Sequence, residues 1–358
     1  DEVHELSNSG GSAQSLAFQQ LVHLRVPVVA LTGSAMNGYA SSLFMLLWCL
    51  SRKFRLRYER TELTRFIEDY GYVKRFVEEK DAPQKSFGAV TDRVEKVKTA
   101  GQSPGVLPSL LLGDLLPVAV PLQLADLEID LPPKREVVVE VEPTAEMRQR
   151  YDRLQRELLA RIKRDRFDKE LSGRLFGQLS EMVSYLDRST ADTGNTPEGD
   201  WEIRYPEEVG GRVVASERGL PCGPLSPKEV WLARTVMEEL DEDRRAMVFV
   251  WHTQLFGRVQ RLLEEQLSER VVVLDARKVG AKVREAWVDR EVVAKGARVM
   301  VVNPVAVQTG LNNLTWFDSV FWFESPACNP TIRRQANGRI RRIGQRKEAR
   351  FYSPVYAE

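Results

Sequence analysis

The sequence Met247-Val-Phe-Val-Trp251 is a short apolar run, and an apolar pattern with helical spacing follows it over residues 255–267. Further apolar runs lie toward the C-terminus, separated by helical or loop-helix segments, at residues 271–274, 298–302 and 319–323. Continuous apolar runs that alternate with helices are typical of a parallel sheet covered on both faces. Residues 226–358 are therefore predicted to form an α/β lobe, which begins at the capping box Ser226-Pro-Lys-Glu229.

A similar pattern occurs near the N-terminus. The run Pro27-Val-Val-Ala-Leu31 predicts a buried strand, which leads into Thr32-Gly33-Ser34. An apolar helix is predicted next, over residues 40–50. Residues 1–75 are therefore expected to form part of a first α/β lobe.

The middle of the chain has a different composition. Residues 76–143 are rich in proline and are predicted to be an irregular insertion and linker that ends in a strand at residues 136–141. Residues 144–225 are predicted to be a helical protrusion and connector, with loop-like composition after residue 190. The amphipathic pattern of residues 144–171 places these side chains on one stripe: Met147, Tyr151, Leu154, Leu158 and Ile162.

Composition excludes several classes of protein. The chain has 358 residues, of which 43% are hydrophobic and 29% charged, so it is not of the disordered class. The longest apolar run, residues 43–50, is too short to span a bilayer, and no membrane partner is expected. Its three cysteines and three histidines show no metal-ligand spacing, and free thiols in a reducing cytoplasm are the expected state.

The formal net charge of +1 hides a strong local segregation. Residues 333–350 carry many arginines and lysines and one acidic residue, Glu348. A near-neutral chain with one basic face favours contact with nucleic acid or a nucleotide.

Within this basic segment, Gln335-Ala-Asn-Gly-Arg339-Ile-Arg341-Arg342-Ile-Gly-Gln345 places Arg339 and Arg342 three positions apart. On a helix, positions three and four apart share a face, so both side chains could converge on one anion. Guanidinium groups suit phosphate because they stay charged and bind in a bidentate manner. The alternative interpretation is an arginine-rich surface helix.

Other short motifs precede this one in a defined order. Asp1-Glu-Val-His4 combines a carboxylate suited to Mg²⁺ with a second one suited to orient water. The later segments follow a predicted strand or open a helix: Thr32-Gly-Ser34, Trp251-His-Thr253, residues 303–312, and Asn329-Pro330. Ligands of α/β sheets gather at the carboxyl ends of strands, which supports a functional interpretation of these positions.

Taken in this order, the motifs resemble those of the Swi/Snf-type DNA-translocating ATPases, a DExH-box group of superfamily-two helicases. The resemblance runs from the second helicase signature through the second RecA-like lobe, and is to a divergent bacterial or phage-like member. It implies an α/β fold with a parallel-sheet RecA-like lobe at the C-terminus, a partial RecA-like lobe at the N-terminus, and helical insertions near residues 60–100 and 144–190.

The resemblance also implies ATP and Mg²⁺ as cofactors. Asp1 would hold the metal, Glu2 would activate water, and His4 would link the nucleotide state to the third signature. Arg339 and Arg342 would reach the phosphates from the second lobe, with Gln335 and Gly310 also at the nucleotide.

Double-stranded DNA is the implied partner, bound through its backbone by these residues: Thr253, Thr309, Asn312 and Asn329. Thr32, Gly33 and Ser34 would couple the two activities. The chain departs from the family pattern at Val307-Gln308, where the family has two glycines, and at Ser34-Ala35, where it has Thr-Pro.

One family motif is missing from the sequence. No Gly-x-x-x-x-Gly-Lys-[Ser/Thr] loop, which would cradle the β- and γ-phosphates, occurs in these 358 residues. The chain is therefore expected to be part of a longer protein whose N-terminal segment carries that loop, and to be a poor ATPase alone.

The function predicted from the sequence is the C-terminal portion of an ATP-dependent motor that translocates on duplex DNA. Two alternatives remain open. One is a catalytically inactive RecA-like scaffold that binds nucleic acid. The other is a helicase that separates strands.

Overall fold

A computed structural model describes residues 3, 13–33, 35–36, 38–80, 94–122, 126, 131–164, 179, 182–196, 198–205, 212–307, 311–324 and 330–357. The chain divides into two units, residues 1–127 and residues 128–358.

The first unit contains short helices and one antiparallel hairpin. Its longer described helices are α1 (Ala13–His23), α2 (Ser41–Leu50), α3 (Arg52–Arg57) and α4 (Leu63–Tyr70), and two short helical segments lie at Pro108–Leu110 and Leu111–Leu115. Helix α2 is almost wholly apolar and coincides with the predicted helix, and it is buried because it packs against an aromatic cluster from α3 and α4. Within this cluster the ring of Phe44 lies 5.8 Å from that of Phe54 and 5.3 Å from that of Phe66, between centroids.

The predicted N-terminal strand is not formed, and this prediction was wrong. Residues 27–31 belong to no described strand, and Val29 and Leu31 are 87% and 58% exposed. One backbone hydrogen bond reaches this segment from Val3, whose N–H donates to the carbonyl of Leu31 at 3.0 Å. An apolar run becomes a buried strand only where neighbouring strands satisfy its backbone groups, and the described residues supply no such ladder.

The prediction of an irregular segment from residue 76 that ends in a strand at residues 136–141 was wrong in part, although a strand at Lys134–Val141 confirms its end. Residues 71–106 contain strands β1 (Gly71–Lys80) and β2 (Val94–Val106), which pair antiparallel from Gly71 with Val106 to Lys80 with Val94. The helical insertion expected near residues 60–100 is helical only as far as Tyr70. Antiparallel strands can face water, so a charge-rich sequence can form them without the apolar runs that reveal a buried strand.

The second unit is built on a parallel sheet, and this confirms the predicted fold class. Its six described strands are β3 (Lys134–Val141), β6 (Ala246–Phe249), β7 (Val271–Leu274), β8 (Val299–Val302), β9 (Ser319–Trp322) and β10 (Ala349–Tyr356). Their order in the sheet is β3-β10-β9-β6-β8-β7, and every pairing is parallel. Strand β6 therefore lies between β9 and β8. The four strands predicted from apolar runs are β9, β6, β8 and β7, which are three of the four interior strands and one edge strand.

Both faces of this sheet are buried. Along β6, Met247 and Phe249 belong to one apolar cluster, while Ala246 and Val248 belong to the cluster on the opposite face. Fully burying one large apolar side chain stabilises a fold by about 1.5–3 kcal/mol. Helices cover the two faces: α6 (Pro227–Asp241), α7 (Phe256–Leu267), α8 (Arg284–Val288), α9 (Pro304–Val307) and α10 (Pro330–Gly338).

Between β3 and α6 the chain forms a small accessory region. Helix α5 (Ala145–Arg164) buries four of the five side chains of the predicted stripe, Met147, Leu154, Leu158 and Ile162, and Tyr151 is partly buried. It packs against strands β4 (Trp201–Tyr205) and β5 (Arg212–Glu217), which pair antiparallel. The loop predicted for residues 190–225 was therefore wrong in part, because a hairpin lies within it.

A capping box at the N-terminus of α6 contributes to the stability of the second unit. The Ser226 hydroxyl accepts from the Glu229 N–H at 3.3 Å, and the Glu229 carboxylate accepts from the Ser226 N–H at 2.8 Å, as the capping box predicts. Ser226→Ala should lower the free energy of unfolding by about 1 kcal/mol, because one helix N–H loses its partner. Urea denaturation followed by circular dichroism measures this change.

The matched control is Ser216→Ala, an exposed serine on β5, which should change the stability by less than about 0.5 kcal/mol. An equal loss in both variants would contradict the capping argument.

Candidate functional site

Polar side chains meet at the carboxyl edge of the parallel sheet, where β9, β6 and β8 end side by side. His252 follows β6, Glu324 follows β9 and Asn303 follows β8. The Glu324 carboxylate accepts from the His252 backbone N–H at 2.8 Å, and its other oxygen lies 2.8 Å from His252 Nδ1. From the other side, the Asn303 amide donates to the carbonyl of Trp251 at 2.6 Å. The loop after β6 is thus held by both neighbouring strands.

Thr253 belongs to this loop. It follows His252 and opens a short 3-10 turn, Thr253–Leu255, that leads into α7. Thr253 is partly exposed. The structure therefore places this predicted DNA-contacting residue at the carboxyl edge, the position at which ligands of such sheets gather.

A buried ion pair and a cavity lie next to this cluster. Lys228 of α6 donates to Asp187 of the accessory region at 2.9 Å, and their side chains are 5% and 6% exposed. With Glu324, these groups line a cavity of about 540 Å³ between α5, α6 and the end of β10. Burial raises the pKa of Asp187 to about 6; the Lys228 ammonium opposes this change, and the Glu324 carboxylate adds to it.

The predicted arginine pair is not on one helix, and this part of the prediction was wrong. Helix α10 ends at Gly338, and Arg339 and Arg342 lie in the turns that follow it. The Arg339 N–H bonds to the Ala336 carbonyl at 3.2 Å, and the Arg342 N–H to the Ile340 carbonyl at 3.0 Å. Glycine at position 338 favours the end of the helix, because it is a poor helix former and common where helices stop.

The turns after α10 are nevertheless fixed to the rest of the second unit. Arg341 donates to the carbonyl of Pro132 at 3.0 Å, just before β3, and the Gln345 amide donates to the carbonyl of Phe317 at 2.7 Å, just before β9. The side chains of Arg339, after α10, and Gln335, on α10, are both partly buried, and Arg339 also interacts with other groups of the protein.

Two predicted site residues do meet here, Arg342 and Asn312. The Arg342 guanidinium donates to the side-chain oxygen of Asn312, and the Asn312 backbone N–H donates to Glu285 at 3.2 Å. The contact joins the segment predicted to contact DNA with the segment predicted to contact phosphate.

The described residues locate the remaining predicted site residues only in part. Asp1, Glu2, His4, Ser34, Thr309, Gly310 and Asn329 lie outside the described residues. Thr32 and Gly33 are described and follow Leu31, which accepts the hydrogen bond from buried Val3. That bond places Val3 next to the predicted coupling segment. Among the described residues, no cluster of three or more potential ligands suits a metal ion.

Sequence reasoning missed Glu324, Asp187 and Lys228. The signal for Glu324 was present, because it follows an apolar run in the same manner as Thr253 follows β6. Asp187 and Lys228 had no such signal, since their pairing depends on how the accessory region packs.

Comparisons with known proteins give a likeness of fold. No protein-family model and no curated protein sequence matches the chain. One similar structure is the C-terminal part of the Fun30 ATPase domain, with a TM-score of 0.48 and 17% identity over 64% of this chain and 87% of that chain. Another is the Sulfolobus solfataricus SWI2/SNF2 ATPase core in complex with dsDNA, with a TM-score of 0.43 and 19% identity over 68% of this chain and 45% of that chain. Neither likeness assigns an activity or a residue's role to this chain.

None of the helices in the described part of the chain is long and apolar enough to cross a membrane.

The buried pair next to the cavity predicts a pH dependence of stability. Since the pKa of Asp187 is raised from its ordinary 3.8 to about 6, the folded chain binds this proton more tightly than the unfolded chain. The stabilising contribution is therefore complete below about pH 4 and is lost as the pH rises through about 6. Relative to Asp187→Asn, the unfolding free energy of the wild type should fall by roughly 2–3 kcal/mol between about pH 4 and about pH 7.

Urea denaturation of both proteins across this range measures the difference. A difference that stays constant with pH would contradict the raised pKa, and a difference that grows with pH would reverse its sign.

Proposed function

We propose that this chain is the C-terminal portion of an ATP-dependent motor that translocates on double-stranded DNA. The observation that carries the proposal is the hydrogen bond between Arg342 and Asn312. By the family resemblance, Asn312 lies in a segment that contacts the DNA backbone and Arg342 is an arginine finger for phosphate. A direct contact between them gives a short physical path between DNA binding and phosphate chemistry.

The proposed cofactor is a nucleoside triphosphate with Mg²⁺, and the residue types that the resemblance assigns to the site support it. In the proposed site, the guanidinium groups of Arg339 and Arg342 neutralise negative charge on the γ-phosphate as it develops. By the same resemblance, Gln335 and Gly310 would contact the nucleotide, Asp1 would hold the metal and Glu2 would orient water. The nucleotide supplies the free energy for movement when it is hydrolysed.

Two contacts, one within each unit, support this assignment. In the first unit, the bond from Val3 to Leu31 lies one residue from Thr32 and on the chain between Glu2 and His4. In the second, Asn312 and Arg342 are joined directly. Thr32, Gly33 and Ser34 would then couple the carboxylate segment to the DNA-contacting residues.

DNA binding is proposed to be through backbone phosphates, at Thr253, Thr309, Asn312 and Asn329. Contacts to phosphate carry no sequence information directly, so the affinity should be largely independent of sequence and should fall as salt rises. The protein would contact DNA differently in its ATP-bound and ADP-bound states. This difference would shift the population between two conformations and so drive movement along DNA.

Replacing the finger residue tests the proposal. In the intact protein, Arg342→Ala should lower DNA-stimulated ATP hydrolysis by about 10³-fold or more, because a guanidinium finger contributes on that scale. Arg342→Lys should recover little, since an ammonium lacks the bidentate fork. Steady-state ATP turnover with and without duplex DNA measures both.

The Glu2→Gln variant should still bind ATP and DNA but should hydrolyse ATP poorly, because the carboxylate proposed to activate water is lost.

Arg346→Ala is the matched control, because Arg346 is an exposed arginine of the same basic segment and has no proposed catalytic role. Its turnover should stay within about twofold of wild type, corresponding to a small surface effect. Near-normal DNA-stimulated turnover in Arg342→Ala or Glu2→Gln would overturn the assignment.

A further inference from the structure

The loop after β6 is held by the two strands that flank β6 in the sheet. Strand β6 pairs with β9 on one side and with β8 on the other. Glu324, two residues beyond β9, and Asn303, one residue beyond β8, both extend over the end of β6. Two residues from different parts of the sequence thus meet on the loop formed by Trp251, His252 and Thr253.

The Glu324 contact is suited to fix a backbone position. Its carboxylate holds both the backbone N–H and the ring of His252, each at 2.8 Å, and its side chain is 2% exposed. A hydrogen bond from a backbone N–H to a buried carboxylate is charge-assisted and stronger than one between neutral groups. Because the Glu324 side chain is buried and hydrogen-bonded to His252, its role is to restrain the loop and not to contact an anion in solvent.

The Asn303 contact restrains the same loop from the other side. Its amide group donates to the Trp251 carbonyl, and its side-chain oxygen accepts from the Val305 N–H at 2.9 Å. Both ends of the Asn303 side chain are therefore used, which fixes its orientation. Together with Glu324 it restrains the residues on either side of the peptide bond that joins Trp251 and His252.

We propose that Glu324 and Asn303 are positioning residues that hold this loop so that Thr253 meets a DNA backbone phosphate. The inference rests on the proposed function, which supplies the phosphate and the role of Thr253. It adds that the contact depends on side chains that do not touch DNA. Such support raises the affinity of a binding residue, because the loop is already ordered and loses less conformational entropy when the ligand binds.

The test is the affinity of the 358-residue chain for a random-sequence DNA duplex, measured by fluorescence anisotropy over a series of salt concentrations. Thr253→Ala removes the contact itself and should weaken binding about fivefold, by loss of one hydrogen bond. Glu324→Ala should weaken binding by a similar factor. The double variant should be no weaker than either single variant, because Glu324 acts through Thr253 and the two losses are then not additive.

Two further variants separate positioning from folding. Glu324→Gln keeps an oxygen that accepts from the His252 N–H, so its affinity should return to within about twofold of wild type. Glu239→Gln alters another buried carboxylate, which accepts hydrogen bonds from Arg244, Arg350 and Tyr352 at 2.6–2.8 Å. This carboxylate lies near the amino ends of the strands, away from the loop after β6. It should lower the Tm and leave the DNA affinity of the folded protein unchanged.

The outcomes distinguish the inference from the function on which it rests. Wild-type affinity in Glu324→Ala, with weakened binding in Thr253→Ala, overturns the positioning role and leaves the proposed function standing. Additive losses in the double variant, or an equal loss of affinity in Glu239→Gln, also overturn it. A wild-type chain that does not bind duplex DNA at any salt concentration overturns the proposed function and the inference with it.

Discussion

Burial of both faces of the parallel sheet is the constraint from which the rest of the second unit follows. Apart from Ser319 at the start of β9, the side chains of β6, β8 and β9 alternate between two apolar clusters, so little of either face is left for polar chemistry. Polar groups are left to the ends of the strands, where backbone direction brings several loops together. The contacts of His252 with Glu324, and of Trp251 with Asn303, lie at one such end. Hydrogen-bonding groups are therefore concentrated at the carboxyl ends of these strands.

The accessory region is attached to the sheet domain through buried charges rather than through an apolar surface alone. Arg258 of α7 contacts Asp192 at 3.1 Å, and it also pairs with Glu229, which completes the capping box of α6. Lys228, which directly precedes Glu229 in the sequence, pairs with Asp187 of the accessory region. Removing one partner of a buried pair leaves an uncompensated charge, which costs about 3–5 kcal/mol. The same few residues therefore cap a helix and hold the accessory region in place.

The sequence predicted the elements that depend on burial and missed those that depend on pairing. The apolar runs located β7 to the residue and β6, β8 and β9 to within two residues, because a strand buried on both faces has few polar positions. The hairpins β1–β2 and β4–β5 were missed, since each strand has a partner that satisfies its backbone and needs no continuous apolar run. The run at residues 27–31 shows the converse, because it is apolar and yet belongs to no described strand. In the candidate site, the position of Thr253 followed from strand order, whereas the end of α10 at Gly338 and the role of Glu324 required tertiary structure.

The central claim is that the edges of this sheet serve a motor that moves along duplex DNA. Displacement of a third strand from a DNA triplex by the intact protein tests it most directly, with a forked duplex as the parallel substrate. The account predicts ATP-dependent release of the third strand while the fork stays closed. Opening of the fork would indicate a strand-separating helicase instead, and release of neither strand, with DNA still bound, would indicate a scaffold without motor activity.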